Sequence, residues 1–185
     1  MNLIETFQNL VAQVPELVQP LIVALAGAVP FIEGEGAATI GILGGIPPII
    51  AAIAAIVGNF LCVALLVLLS SKAREAVVNR QRAKALVDAN GIAVGGSSAG
   101  SIPVEEGDSA RKAARKQKFQ GALDRYGVPG VSLLGPLLLP TQFTATMLAA
   151  IGIGKGRILF WQGLAIVIWT TALSLLASGI VHFAV

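Results

Sequence analysis

Two carboxylates, Glu33 and Glu35, lie in an otherwise uncharged stretch rich in glycine and proline, Pro30–Gly36. No basic residue lies between Leu21 and Leu69, so neither carboxylate has a cationic neighbour in the sequence. An ionised carboxylate in apolar surroundings is costly unless water, a cation or a hydrogen-bond donor meets it. Carboxylates two residues apart also repel, so we expect one of them to keep its proton to a raised pKa. The pair is the candidate proton, cation or substrate site.

The same stretch predicts a turn, because proline removes a backbone donor and glycine loosens the chain. The apolar segment before it, Pro20–Val29, and the segment after it, Ala37–Leu43, are each far shorter than the roughly 20 residues that cross a bilayer. We therefore expect a re-entrant hairpin, whose irregular tip must be buried by protein or solvated in a wet cavity. The alternative is an exterior loop with solvated glutamates.

The composition excludes a soluble globular protein. Of the 185 residues 55% are hydrophobic and only 12% charged, and the mean hydropathy is +0.81, which predicts an integral membrane protein. The basic residues flank apolar segments without interleaved aromatic residues, so they indicate anionic-lipid contacts rather than nucleic-acid binding. No Cys/His pair or cluster of metal ligands is evident, so we expect no enzyme, no metal and no cofactor.

The rest of the first half predicts helices. An amphipathic pattern over Asn2–Gln19 predicts a helix along the membrane interface, and the uncharged run Ile49–Leu69 is long enough to span. Gly58-Asn59 interrupts this run, as a helix-packing site or as part of a transport path. A basic helix, Lys72–Leu86, follows.

The second apolar half repeats this order. Val128–Leu139 and Phe143–Ile153 predict a second hairpin, broken at Pro140–Gln142, and Ile158–Val181 predicts a second span. Polar residues that are expected to line this hairpin are Ser132, Thr141, Gln142 and Thr144. Arg125 precedes the hairpin and is a candidate phosphate contact.

The charge distribution predicts the topology. All 13 Lys and Arg residues lie on one side if the loop 72–127 is cytoplasmic and both termini are outside. The chain is then one all-α transmembrane domain, 1–185, of a bacterial cytoplasmic membrane, with an N-terminal amphipathic helix. Its first repeat, 1–71, and second repeat, 128–185, are inverted, as in many transporters. A flexible Gly/Ser-rich linker, 91–108, interrupts the basic loop, and a second basic helix is expected at 111–118.

Several short motifs resemble the small multi-drug export family, a distant relative of DedA-type membrane proteins. They are Pro30-Phe31-Ile32-Glu33-Gly34-Glu35, Gly58-Asn59, and Tyr126-Gly127 followed by Pro136, Pro140, Ala149-Ala150, Gly152 and a tryptophan-bearing last helix. The resemblance implies paired re-entrant hairpins, acidic residues linked to the proton-motive force, and flipping of a polyprenyl-phosphate carrier. The arginine that the family has in the second hairpin has no counterpart in this chain, because Ser132 stands in that position.

These features predict a transporter with protons as the coupling ion and either a lipid phosphate or an amphipathic compound as substrate. Membrane lipids, a second copy of the chain or another membrane subunit are the expected partners. A membrane scaffold that binds partners or anionic lipid through its basic loop is the alternative.

Overall fold

The computed structural model describes residues 3–89, 121 and 123–184, and the regular structure of these residues is entirely helical. In chain order the elements are α1 (Leu3–Gln13), α2 (Gln19–Gly27), α3 (Glu33–Leu43), α4 (Pro48–Ala89), α5 (123–134), the 3-10 helix Gly135–Leu137, α6 (Thr141–Ile151) and α7 (Lys155–Ala184). The predicted all-α class is confirmed for this part of the chain. The predicted linker, 91–108, and the second basic helix, 111–118, lie outside the described residues.

Two helices, α4 and α7, are much longer than the others. α4 begins at Pro48, a position that suits proline because the first N–H groups of a helix have no intrahelical acceptor. The 34 residues Pro48–Gln81 and the 26 residues Lys155–Ile180 are long and apolar enough to cross a membrane, by length and composition. The predicted spans, Ile49–Leu69 and Ile158–Val181, each lie within one continuous helix.

The first hairpin turns earlier than its composition predicted. α2 ends at Gly27 and the turn occupies residues 28–32, so the returning helix begins at Glu33 and not at Ala37. Glycine inside a helix costs only about 1 kcal/mol, which the packing of this stretch outweighs. The direction change is made by residues in the left-handed region, Phe31 at φ 72° and Glu33 at φ 54°, which costs a non-glycine residue about 1–2 kcal/mol.

The second hairpin has an irregular first arm. α5 contains Gly127 at φ 66° and passes into the 3-10 helix, so the arm expected at Val128–Leu139 is helical from residue 123 to residue 137. Pro140 ends this arm with an extended backbone and α6 starts at Thr141, so only the first residue of the predicted break, Pro140, is non-helical.

Two apolar clusters form the core. The first joins α1, α2, α3 and the beginning of α4, and its buried members are Val11, Val23, Ala26, Ala37, Ala38, Ile42, Ile46, Ala51 and Ala55. The second joins the middle of α4 to α5, α6 and α7, and its buried members are Val63, Val67, Val128, Val131, Ala145, Leu148, Ala149, Ile158 and Ile166. α4 contributes to both clusters from one face, because residues four apart lie on the same side of a helix.

A close helix crossing holds the first hairpin against α4. Gly58 of α4 lies against the backbone of Ala24 in α2 with no space for a Cβ atom. One turn away, a Cβ at Gly27 would lie 2.7 Å from the carbonyl oxygen of Ala55. Small residues permit such backbone approach, so Gly58 serves helix packing.

Candidate functional site

The N-termini of α3 and α6 meet inside the protein, and Glu33 is their point of contact. Its side chain is only 6% exposed. One carboxylate oxygen, Oε1, accepts hydrogen bonds from the backbone N–H of Thr141 and from its hydroxyl group, the latter at 2.8 Å. The rings of Phe31 and Phe143, with centroids 6.0 Å apart, form a second contact between the same two turns. The two hairpins are therefore joined through a buried carboxylate.

Side-chain amides from α4 and α6 complete a polar layer around this contact. Gln142 Nε2 donates to Asn59 Oδ1 at 3.1 Å, and the Thr141 hydroxyl lies 3.3 Å from the same oxygen. Asn59, Thr141 and Gln142 are all buried. The layer joins α3, α4 and α6.

The position of Asn59 places this layer deep in the apolar part of the fold. Residue 59 is the midpoint of the uncharged run 49–69, about 15 Å from either end at 1.5 Å per residue. Ala55 of the first apolar cluster and Val63 of the second lie one turn away on either side. The carboxylate of Glu33 therefore lies between two apolar clusters.

The protonation of Glu33 is controlled by burial. Glu33 lies outside the two long apolar helices, and loss of water around its charged form raises its pKa from 4.5 to about 7. The two hydrogen bonds from Thr141 lower the pKa, and the charge of Glu35 raises it least. Repulsion between the carboxylates is thus not the main cause, because residues two apart at the start of a helix point in different directions.

Glu35 faces a separate groove between α1, α3 and α7. The groove has a volume of about 500 Å³, and the described residues that line it are apolar apart from Gln8, Glu35 and Thr39. Burial raises the pKa of the Glu35 carboxyl group, which also lies outside the two long helices. The two glutamates therefore belong to different sites.

Three buried polar atoms among the described residues have no hydrogen-bond partner: Asn59 Nδ2, Gln162 Oε1 and Thr170 Oγ1. The Thr170 hydroxyl lies against Gly34, the residue that follows Glu33. Buried polar atoms are normally bonded by protein, water or ligand. Asn59 in the polar layer, and Gln162 and Thr170 of α7, therefore have unused capacity to bind water or a polar group.

The other predicted site residues differ in their placement. Ser132 is buried and lies 3.4 Å from Gln162 Nε2, which donates to its hydroxyl. Thr144 is buried, and its hydroxyl donates to the carbonyl of Pro140, the residue just before α6. Arg125 is exposed, with its guanidinium group 5.5 Å from the ring centroid of Tyr126, and forms no hydrogen bond with the described residues of the polar layer.

Sequence reasoning overlooked the contribution of α7. Gln162, Thr170 and Ser174 are all buried, and their spacings of eight and four residues place them on one helix face. Trp169 adds a bond from Nε1 to the carbonyl of Leu133, at 2.8 Å, that ties α7 to α5. Polar residues recurring at multiples of four in an apolar run were the available signal.

In the described part of the chain no three His, Cys, Asp or Glu side chains are grouped as a metal site. Comparison with protein-family models, with curated proteins and with solved structures gives no match for this chain. The resemblance to the small multi-drug export family stays a prediction.

Proposed function

We propose that the chain is a proton-linked membrane transporter in which Glu33 couples proton binding to the contact between the two hairpins. The observation that carries this proposal is the buried Glu33 carboxylate bonded to Thr141 of the opposite hairpin. The substrate is an amphipathic small molecule or a lipid-linked carrier such as a polyprenyl phosphate.

A membrane location is supported by the outward faces of the long helices. In the most apolar stretch of α4 only 28% is buried within the protein. The corresponding share in α7 is 22%. Large side chains such as Leu61, which is 62% exposed, and Leu175, which is 68% exposed, point outward. Contiguous exposed apolar surface of this extent is unfavourable in water and suits contact with lipid.

The proton acts on the bond between the hairpins. An ionised Glu33 accepts two hydrogen bonds from Thr141, and bonds to a charged acceptor are stronger than neutral ones. Protonation removes the charge and so weakens the attachment of α6 to α3. A proton thus favours separation of the tips, and its loss favours their contact, as a two-state mechanism requires.

The repeated order of elements supports alternating access. α2, α3 and α4 form two short helices followed by a long one, and α5, α6 and α7 repeat this order. α3 also packs on α7, and α6 on α4, so the second short helix of each half lies against the long helix of the other half. Transporters built from inverted repeats commonly place their sites where such broken elements meet.

The groove that contains Glu35 favours an amphipathic cation over a lipid phosphate. Among the described residues Glu35 is the only charged one in its lining, and the volume of about 500 Å³ is that of a site for a drug-sized molecule. Arg125 forms no hydrogen bond with the described residues of the polar layer, and Ser132 offers a hydroxyl group where a phosphate site would need a cation.

Reconstitution tests this proposal. The full chain in liposomes is exposed to an imposed pH gradient, and the uptake of ethidium is compared with the movement of a polyprenyl phosphate between leaflets. Gradient-dependent uptake of ethidium is the expected result, and gradient-dependent movement of the polyprenyl phosphate would instead identify the lipid carrier. No gradient-dependent movement of either compound would favour the scaffold alternative.

A further inference from the structure

A second cavity lies near the boundary between the apolar and basic parts of α4, far along the helix from Pro48, and its lining is more polar than that of the Glu35 groove. Its volume is about 280 Å³, several times the roughly 30 Å³ that one water molecule occupies in the liquid. Its polar lining comes from Ser71, Arg74 and Glu75 of α4 and from Lys155 at the start of α7. Arg74 is 15 residues from Asn59, about 22 Å along the helix, so the cavity is separate from the Glu33 layer.

Arg74 supplies the cavity with a positive charge. Among the described residues no carboxylate forms an ion pair with Arg74. Its guanidinium group lies against Gly152, where a Cβ atom would come within 2.6 Å of Nη2. Gly152 ends α6 at φ 99°, in the left-handed region that favours glycine, so this residue both ends the helix and leaves space for the guanidinium group.

Ser71 adds a hydroxyl group to the lining of the same cavity. The residue as a whole is 6% exposed. A hydroxyl donor beside a guanidinium group is suited to an oxyanion.

Lys155 and Glu75 add a pair of opposite charges to the cavity that contains Arg74. Lys155 Nζ lies 2.9 Å from Glu75 Oε1 in a pair that is partly exposed to solvent, so the described lining residues together carry one net positive charge, that of Arg74. Lys155 is also the first residue of α7, and the N–H groups of a helix start attract anions.

We infer that this cavity binds a phosphate group through Arg74 and Ser71, with α7 contributing its N-terminus. The binding is separate from the transport proposed above. Arg74 lies five residues beyond Leu69, about 7 Å past the apolar run, where phospholipid phosphates lie if α4 spans a bilayer. The source is thus an anionic lipid headgroup or a soluble phosphate ester, which share this chemistry.

Native mass spectrometry of the full chain in neutral detergent distinguishes these sources. The probes are phosphatidylglycerol, a diacylglycerol with the same acyl chains, and glycerol 3-phosphate. We expect phosphatidylglycerol to bind and diacylglycerol not to bind at this site. Binding of glycerol 3-phosphate at similar concentration would identify the soluble ester as a sufficient ligand, and its failure to bind would assign the site to the lipid.

Two arginine variants test the role of the cavity. Arg74→Gln should weaken phosphate binding at least about tenfold, because a charge-assisted hydrogen bond is lost. Arg80→Gln removes the same charge from an exposed position of α4 outside the cavity and should change binding less than about twofold. Equal weakening in both variants, or equal binding of diacylglycerol, would overturn the inference. So would an Arg74→Gln protein that is less stable but binds phosphate normally, since Arg74 would then only cap α6.

Glu75→Gln should increase the affinity for the phosphate group, an effect that misfolding would not produce. It removes the negative charge from the cavity and frees Lys155, so phosphatidylglycerol should bind roughly fivefold more tightly. Unchanged or weaker binding by this variant would contradict the inference even if Arg74→Gln failed to fold.

Discussion

The hydroxyl group of Thr141 gives the sharpest test of how the protein controls Glu33. Thr141→Val keeps the branched shape and the backbone N–H but removes the 2.8 Å bond to the carboxylate. That bond stabilises the ionised form and lowers the pKa of Glu33. A hydrogen bond to a charged group contributes about 1.5–3 kcal/mol. At about 1.36 kcal/mol for each pH unit, its loss should raise the pKa by about 1–2 units.

Infrared difference titration measures this pKa directly. The signal is the carbonyl band of the protonated carboxyl group that is absent from the Glu33→Gln protein. Thr146→Val is the matched control, because its hydroxyl donates to the Phe143 carbonyl within the same helix and does not reach Glu33. An unchanged midpoint in Thr141→Val, or a midpoint at lower pH, would refute the role assigned to this bond.

The stability of the protein provides an independent readout of the same bond. The pKa of Glu33 in the folded protein, about 7, lies above its ordinary value of 4.5, so ionisation disfavours the fold. This contribution to stability is complete below about pH 4.5 and is lost as the pH rises through about 7. In Thr141→Val the loss should extend to higher pH, as thermal unfolding at a series of pH values would reveal.

Three further predictions address the fold. Gly58→Ala should destabilise the protein by about 1–3 kcal/mol because the new Cβ meets the backbone of Ala24, whereas Gly179→Ala, which meets nothing within 4 Å, should be neutral or slightly stabilising in thermal unfolding. Equal effects would contradict the close crossing of α2 and α4. In a Cys62→Ala background, Leu17→Cys and Asn79→Cys should react with an impermeant thiol reagent from opposite sides of the membrane, because the basic end of α4 is expected inside. Reaction of both from one side would contradict the topology. Trp169→Phe should lower the unfolding free energy by about 1 kcal/mol through loss of the bond to Leu133, and an unchanged unfolding midpoint would show that this bond contributes nothing.

Hydropathy was sufficient to predict the long helices, because an uncharged run of 21 residues leaves few alternatives to a continuous helix. The short helices were harder to delimit. The stretch after Pro30 contains Gly34 and Gly36, whose weak intrinsic helix propensity favoured a turn, yet it is the first part of α3. Packing against α4 and α7 decided this segment, and single-residue propensities contain no information about such packing.

The site was predictable only in part. Glu33 and Thr141 could each be chosen from the sequence, because each is polar and follows a proline-marked break in an apolar segment. That their side chains bond to each other across 108 residues depends on the tertiary arrangement of the hairpins, which no local pattern specifies. The same limit applies to Thr170 and to Arg74, whose surroundings come from distant parts of the chain.

Proton-driven transport by a Glu33→Gln variant is the most direct test of the proposed coupling. Glutamine keeps the shape and can still accept a bond from Thr141, but it cannot titrate. Glu16→Gln is the matched control, because that carboxylate is exposed and lies outside the polar layer. In liposomes with an imposed pH gradient, we expect Glu33→Gln to accumulate as folded protein and to lose ethidium uptake, while Glu16→Gln transports normally. Full gradient-driven uptake by Glu33→Gln would contradict the coupling role of this carboxylate.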